Sequence, residues 1–250
     1  MATKTKSKAK TKSVYKCEWR DVVAMNFDVD PRLLQPLIPA RTRLLKFNDH
    51  MLVTLMAKNV REFRPWGRGL TLFRSVEEID LRTYISWEKN GQTRLGHFKL
   101  RNLISSKMAA RIFKMLTGQQ QQVAAISRET TNFEEARRDA LPTASYSWIL
   151  DDEENHFKVT ARTEATKSHE GSKERFVLRQ EHRFVETPKS TICYPIRQAP
   201  WLVWHASSGS FDVKSYQLVG KEFRKYFNRP NFVLLSRGGA VTVSSGFKVN

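Results

Sequence analysis

From Val14 to the end of the chain, apolar residues recur mainly at every second position, the spacing of a strand that packs one face. The runs at 19–27, 51–60, 77–88, 93–103, 144–150, 157–163 and 175–185 predict strands, and 232–243 predicts a closing hairpin-like element around Gly238-Gly239. Asn90-Gly91 tolerates positive φ and predicts a tight turn, which makes the runs on either side of it antiparallel neighbours.

Helical spacing is rarer. Asp30-Pro31 joins an N-cap to a proline at the first helical position and predicts a short helix over 32–37, ended by Pro39. Ser105 or Ser106 caps a longer helix with Met108, Ala109, Ile112, Met115 and Leu116 on its apolar stripe and Gly118 as terminator. A further helix is expected over 215–227. Ser207-Ser208-Gly209-Ser210 reads as a loop, because it lacks the Gly-x-Ser-x-Gly pattern of a nucleophile turn. Neither a repeat nor a linker divides the chain after residue 13, so a single α+β domain, mainly antiparallel β with a few short helices, is expected over 14–250.

Composition changes the picture at the N-terminus. Lys4, Lys6, Lys8, Lys10 and Lys12 alternate with small polar residues, so 1–13 are expected to form a basic disordered tail. The 43 Lys+Arg against 25 Asp+Glu give +18; without the five tail lysines, 38 − 25 still leaves +13, and the body of the chain attracts anions too. Two cysteines, Cys17 and Cys193, are too few for a disulfide framework and suit a reducing, cytoplasmic setting. No run reaches the ~18 apolar residues of a membrane span, and no apolar stretch follows the basic start as a secretory signal requires.

Candidate chemistry begins on the 77–88 strand, where Glu78, Asp80, Arg82 and Tyr84 share one face and Ile79, Leu81 and Ile85 the other. Such a polar face serves as a solvated surface with cross-strand ion pairs or, if it looks inward, as the wall of a pocket. His97, Lys99 and Arg101 share a face of the paired strand and would set positive charge opposite those carboxylates, as an anionic ligand requires. Of Glu181-His182 only one can enter a given pocket, since adjacent strand residues point to opposite faces. The six histidines show no metal-ligand spacing, no phosphate-cradling glycine pattern occurs, and neither metal nor cofactor is expected.

Trp19-Arg20-Asp21, Asn26-Phe27-Asp28-Val29-Asp30-Pro31, Leu33-Leu34 and Pro36-Leu37-Ile38-Pro39 together resemble the opening signature of the YqjF-like family, numbered 2071 among the domains of unknown function. Glu77-Glu78-Ile79-Asp80-Leu81-Arg82-Thr83-Tyr84 is similar to that family's next strand. The family falls in the acetoacetate decarboxylase-like superfamily, and the resemblance implies a β-cone or barrel with a few short helices around a central pocket. It further implies a site arginine at Arg20 and a site glutamate at Glu78, or Glu77 if the register slips by one. The superfamily's Schiff-base lysine and its lysine neighbour fall at residues 119–121, where the sequence has glutamines. A glutamine amide cannot form an imine, so decarboxylation by that route is not expected unless Lys99, Lys107 or Lys114 reaches the pocket.

The function expected from these readings is a small-molecule pocket for an anionic organic ligand such as a carboxylate, with Glu78 and Arg20 as its catalytic candidates and Arg82, Tyr84, His97, Lys99 and Glu181 lining it. Were it an enzyme, lyase- or hydrolase-like chemistry on a small organic acid would follow. The alternative is a basic module for nucleic acid or another polyanion, using the tail and exposed Lys and Arg.

Overall fold

In the computed structural model, which describes residues 12–67, 69–131, 133, 141–214 and 216–250, the chain enters through β1 (Ser13–Asp28). Asp30 caps α1 (Pro31–Leu34) by accepting a hydrogen bond from Arg32 N at 2.9 Å, and a 3-10 turn (Gln35–Leu37) completes the expected short helix. After β2 (Arg43–Leu44) come the long antiparallel strands β3 (Leu52–Pro65), β4 (Phe73–Lys89) and β5 (Gln92–Ile104), the last two joined at Asn90 and Gly91, both at positive φ. Then α2 (Lys107–Thr117) runs between its Ser106 cap and Gly118, whose φ of 73 stops it.

The second half adds β6 (Gln122–Val123), β7 (Ile126–Thr131), β8 (Thr143–Leu150), β9 (Glu153–Ala161) and β10 (Thr166–Lys167). It continues through α3 (Lys173–Leu178), β11 (His182–Thr187), β12 (Ser190–Gln198) and β13 (Leu202–Asp212). The chain closes with α4 (Tyr216–Val219), a 3-10 turn (Lys221–Tyr226), β14 (Phe232–Ser244) and β15 (Phe247–Lys248). The expected tail lies, up to residue 11, outside the described residues. Among the described residues no helix is long and apolar enough to cross a membrane.

Four expectations need correction. The predicted strand at 175–185 is divided: Ser172 accepts from Arg175 N and starts α3, so only its second half pairs, as β11. No hairpin forms at Gly238-Gly239; β14 runs through, with Gly238 at φ 77 because a Cβ there would stand 1.9 Å from the Trp19 carbonyl oxygen of β1. Ser207 to Ser210 belong to β13, with a register shift between Ser208 and Ser210 in place of a loop. The helix expected over 215–227 is interrupted by Gly220 at φ 142.

The sheet order is β15-β12-β11-β5-β4-β3-β1-β14-β13-β9-β8-β7, and a further pairing of Ile196, Arg197 and Gln198 in β12 with Val243, Thr242 and Val241 in β14 closes a partial ring. Seven strands, β12, β11, β5, β4, β3, β1 and β14, wall that ring, and β13, β9, β8 and β7 continue the sheet beyond it. Tyr15, Trp19, Met56, Val60, Val76 and Ile104 pack inward, where Ala109 and Phe113 of α2 meet them. On the outer face Val23, Met25, Leu55, Ile79 and Leu81 pack against Tyr146, Trp148 and Phe157 of the extension. Both faces of β1, β3 and β4 are therefore covered, and a polar side chain in their middle is buried whichever way it points.

Candidate functional site

The inward face of β3, β4 and β5 carries a row of charges. Lys58 stands opposite Glu78, Arg82 opposite Lys99, and Tyr84 opposite His97. Next to β5 runs β11, in parallel, with Arg183 beside His97. This approach depends on Gly96, since a Cβ there would lie 2.5 Å from the His182 carbonyl oxygen. Lys58, Glu78, Asp80, Arg82, His97, Lys99 and Arg183 are all buried.

The cluster is held by charge. Lys58 Nζ lies 2.9 Å from Glu78 Oε2 and 2.7 Å from Asp80 Oδ2, while Lys99 Nζ donates to Glu78 Oε1 and lies 3.4 Å from Asp80 Oδ2. Arg82 grips Asp80 with two parallel bonds, Nε to Oδ1 at 2.5 Å and Nη2 to Oδ2 at 2.6 Å. The Trp19 ring stacks under Lys58 Nζ at 4.9 Å. Three cations thus meet two carboxylates, and Arg183 nearby adds a fourth positive charge. Desolvation costs several kcal/mol for each buried ion, so an uncompensated cation is expensive to keep without a purpose.

Protonation follows from these neighbours. Burial pushes the Glu78 carboxyl up, but Lys58 and Lys99 outweigh it and hold it at about 2. Burial likewise opposes ionisation of Asp80, yet Arg82, Lys58 and Lys99 keep it well below the usual carboxylate range. For Lys99 burial is the largest influence and lowers the ammonium to about 8; Asp80 and Glu78 pull it back up, and Lys58 and Arg82 add a smaller lowering. Glu78 therefore stays ionised between two ammonium groups, while burial draws its partner Lys99 toward the neutral amine. Burial, reinforced by Arg82, holds His97 well below its ordinary value and neutral.

A cleft of about 650 Å³ reaches this cluster from the surface. Lys99 and Asn102 of β5, Gln119 and Gln121 beyond α2, and Phe184 and Thr187 of β11 line it. Gln121 Nε2 stands 3.5 Å from Glu78 Oε1, so this glutamine borders the carboxylate without supplying an amine. Lys99 does supply one. Lys107 and Lys114 are exposed on α2 and do not line the cleft.

Of the residues expected at the site, Glu78, Arg82, Tyr84, His97 and Lys99 share the ring interior. Arg20 does not join them. It lies opposite Asn59, one step along β3 from Lys58, so its side chain leaves on the other face, where it pairs with Glu18 at 2.8 Å. Glu77 points to that same outer face and accepts from Asn59 Nδ2 and Ser105 Oγ. Glu181 is exposed ahead of β11, and Arg183 is the residue of that segment that turns inward. Arg101 leaves the His97 and Lys99 face, because a bulge adds Leu100 to β5; it donates to the Leu218 carbonyl oxygen at 2.7 Å instead. Lys58 and Arg183 escaped the sequence reading. A lysine inside the predicted strand 51–60 was the available signal for the first. Among the described residues no three His, Cys, Asp or Glu side chains gather as metal ligands.

No curated protein matches the chain in sequence. Its fold is similar to that of acetoacetate decarboxylase from Legionella pneumophila subsp. pneumophila str. Philadelphia 1, at TM-score 0.67 and 12% identity over 100% of this chain and 93% of that one. An acetoacetate decarboxylase-like enzyme from Sphingomonas wittichii RW1 aligns at TM-score 0.64 and 12% identity, covering 100% of this chain and 98% of that one. The enduracididine biosynthesis enzyme MppR complexed with pyruvate aligns at 0.63 and 9% identity, covering 99% and 93% respectively. In sequence, the model of DUF2071, a family of uncharacterized conserved proteins, matches residues 16–240, and the chain belongs to that family.

Proposed function

We propose that this DUF2071 member binds a small organic acid at the Lys58, Glu78, Asp80, Arg82 and Lys99 cluster, entering by the cleft beside Gln119 and Gln121. The observation that carries this reading is the buried excess of positive charge, whose Lys99 edge lines an open cleft. An anion entering there supplies the charge that the two carboxylates do not. That MppR has been solved with pyruvate makes this acid a suitable first probe.

Within the site Lys99 is the proton-transfer group and Glu78 its orienting partner. At about 8, the Lys99 ammonium exchanges its proton with the ligand near neutral pH, as a general acid or base must, and ionised Glu78 orients it by accepting its hydrogen bond. The same lowered value favours a second reading, in which the neutral Lys99 amine adds to a ligand carbonyl and expels water to leave an imine. Borohydride reduction in the presence of pyruvate separates the two, since only an imine leaves a permanent mass increase on Lys99.

Calorimetric titration with pyruvate tests the binding reading. Saturable heat is expected for the native protein, weakened at least about tenfold in Lys99→Met, equivalent to about 1.4 kcal/mol. Absence of binding to the native protein, or equal binding by the variant, contradicts it. The polyanion alternative has no comparable observation in its favour, and most of the tail on which it leaned lies outside the described residues.

A further inference from the structure

Arg183 is 2% exposed, yet its Nε and Nη2 have no hydrogen-bond partner among the described residues. Its remaining edge is fixed: Nη1 donates to the Tyr15 hydroxyl at 3.0 Å, and the guanidinium lies 5.7 and 5.8 Å from the ring centroids of Tyr15 and Tyr194. Burial drives the neighbouring Tyr15 hydroxyl and Cys17 thiol upward and keeps both neutral, so neither supplies a negative charge. Beside it in the β5–β11 pairing stands His97, 1% exposed, with neither ring nitrogen partnered. The Asn102 amide, on the cleft wall, is likewise without a partner.

Leaving such donors buried and unmatched is costly, most of all for a charged group. The free Nε and Nη2 form the planar fork that matches the two oxygens of a carboxylate. Lys99 lies two residues along β5 from His97, and β11 is one strand over, so the Arg183 and Lys99 backbones stand about 8 Å apart. A molecule of a few carbons matches that separation.

Building on the binding reading above, the geometry points to Arg183, assisted by His97, as the receptor for the ligand's carboxylate. The Lys99 and Glu78 end then faces an oxygen on the neighbouring carbon, so the ligand class is a short 2-oxo or 2-hydroxy monocarboxylate. Arg183 is in this role a binding and specificity residue, and the charge at Lys99 is kept for the reacting oxygen.

The test compares pyruvate with its neutral amide, pyruvamide, by calorimetry on the full chain. The native protein should prefer pyruvate by about tenfold or more, Arg183→Gln should bring the two within about twofold, and Arg183→Lys should fall between, having the charge without the fork. A preference that survives in Arg183→Gln overturns the assignment while leaving the pocket standing. Failure of the native protein to bind either compound removes both. Should Arg183→Gln not fold, the Arg183 Nε–H proton resonance of the native protein decides: a downfield shift on adding pyruvate supports the contact, and an unmoved resonance under saturating pyruvate overturns it.

Discussion

Lys58 sits directly across the β3–β4 pairing from Glu78, with Nζ 2.9 Å from Oε2 and both side chains almost completely removed from water. The same ammonium reaches Asp80 at 2.7 Å, so one lysine neutralises parts of two buried carboxylates. Those carboxylates are inside only because β1, β3 and β4 are covered on both faces.

Removing that ammonium leaves the carboxylates facing only Lys99 and Arg82. Lys58→Met should destabilise the fold by about 3–5 kcal/mol, the cost of breaking a buried ion pair from one side. Urea unfolding measures it, and a loss below about 1 kcal/mol would mean that the cluster is solvated in solution.

Acid should act through the same carboxylates. The Glu78 carboxyl is lowered from 4.5 to about 2, and Asp80 is also lowered, so their contribution is fully present above pH 4.5 and is lost as pH falls toward 2. For Glu78 alone this is on the order of 3 kcal/mol. Unfolding midpoints measured from pH 6 to pH 3 should fall steeply at the low end in the native protein. Glu78→Gln should flatten that fall, and an unchanged slope in the variant would be inconsistent with the assigned shift.

Gly96 permits the close approach of β5 and β11, and a Cβ would press within 2.5 Å of the His182 carbonyl oxygen. Gly96→Ala should therefore cost about 1–3 kcal/mol and displace Arg183 from His97. Thermal unfolding together with pyruvate titration checks both effects. Unaltered stability and binding would show that β11 is held by other contacts.

Much of this arrangement was legible in the chain. The alternation of Glu78, Asp80, Arg82 and Tyr84 with Ile79, Leu81 and Ile85 placed four site residues on one face, and Ser106 and Gly118 bounded α2. Their burial was not legible, since it depends on β12 meeting β14 to close the ring, a contact between segments remote in sequence. The Arg20 assignment failed because a matched motif says nothing of which face a strand residue takes; Trp19, its neighbour, is the one that turns toward Lys58. Arg101 was misplaced by the single extra residue of the β5 bulge, which strict alternation cannot anticipate.

The Lys99 ammonium, lowered from 10.5 to about 8, should react with an amine-modifying reagent along a curve centred near pH 8. The exposed Lys107 and Lys114, modified in the same experiment, are the internal comparison. Site-resolved mass spectrometry across pH 7 to 10 separates them. A Lys99 curve centred near its ordinary 10.5 would contradict the lowering by burial.

Protection of that same amine is the most direct examination of ligand entry. At pH 8, increasing pyruvate should shield Lys99 from modification in a saturable manner and leave Lys107 and Lys114 unaffected. Equal modification of Lys99 with and without pyruvate would contradict a binding site at the cluster.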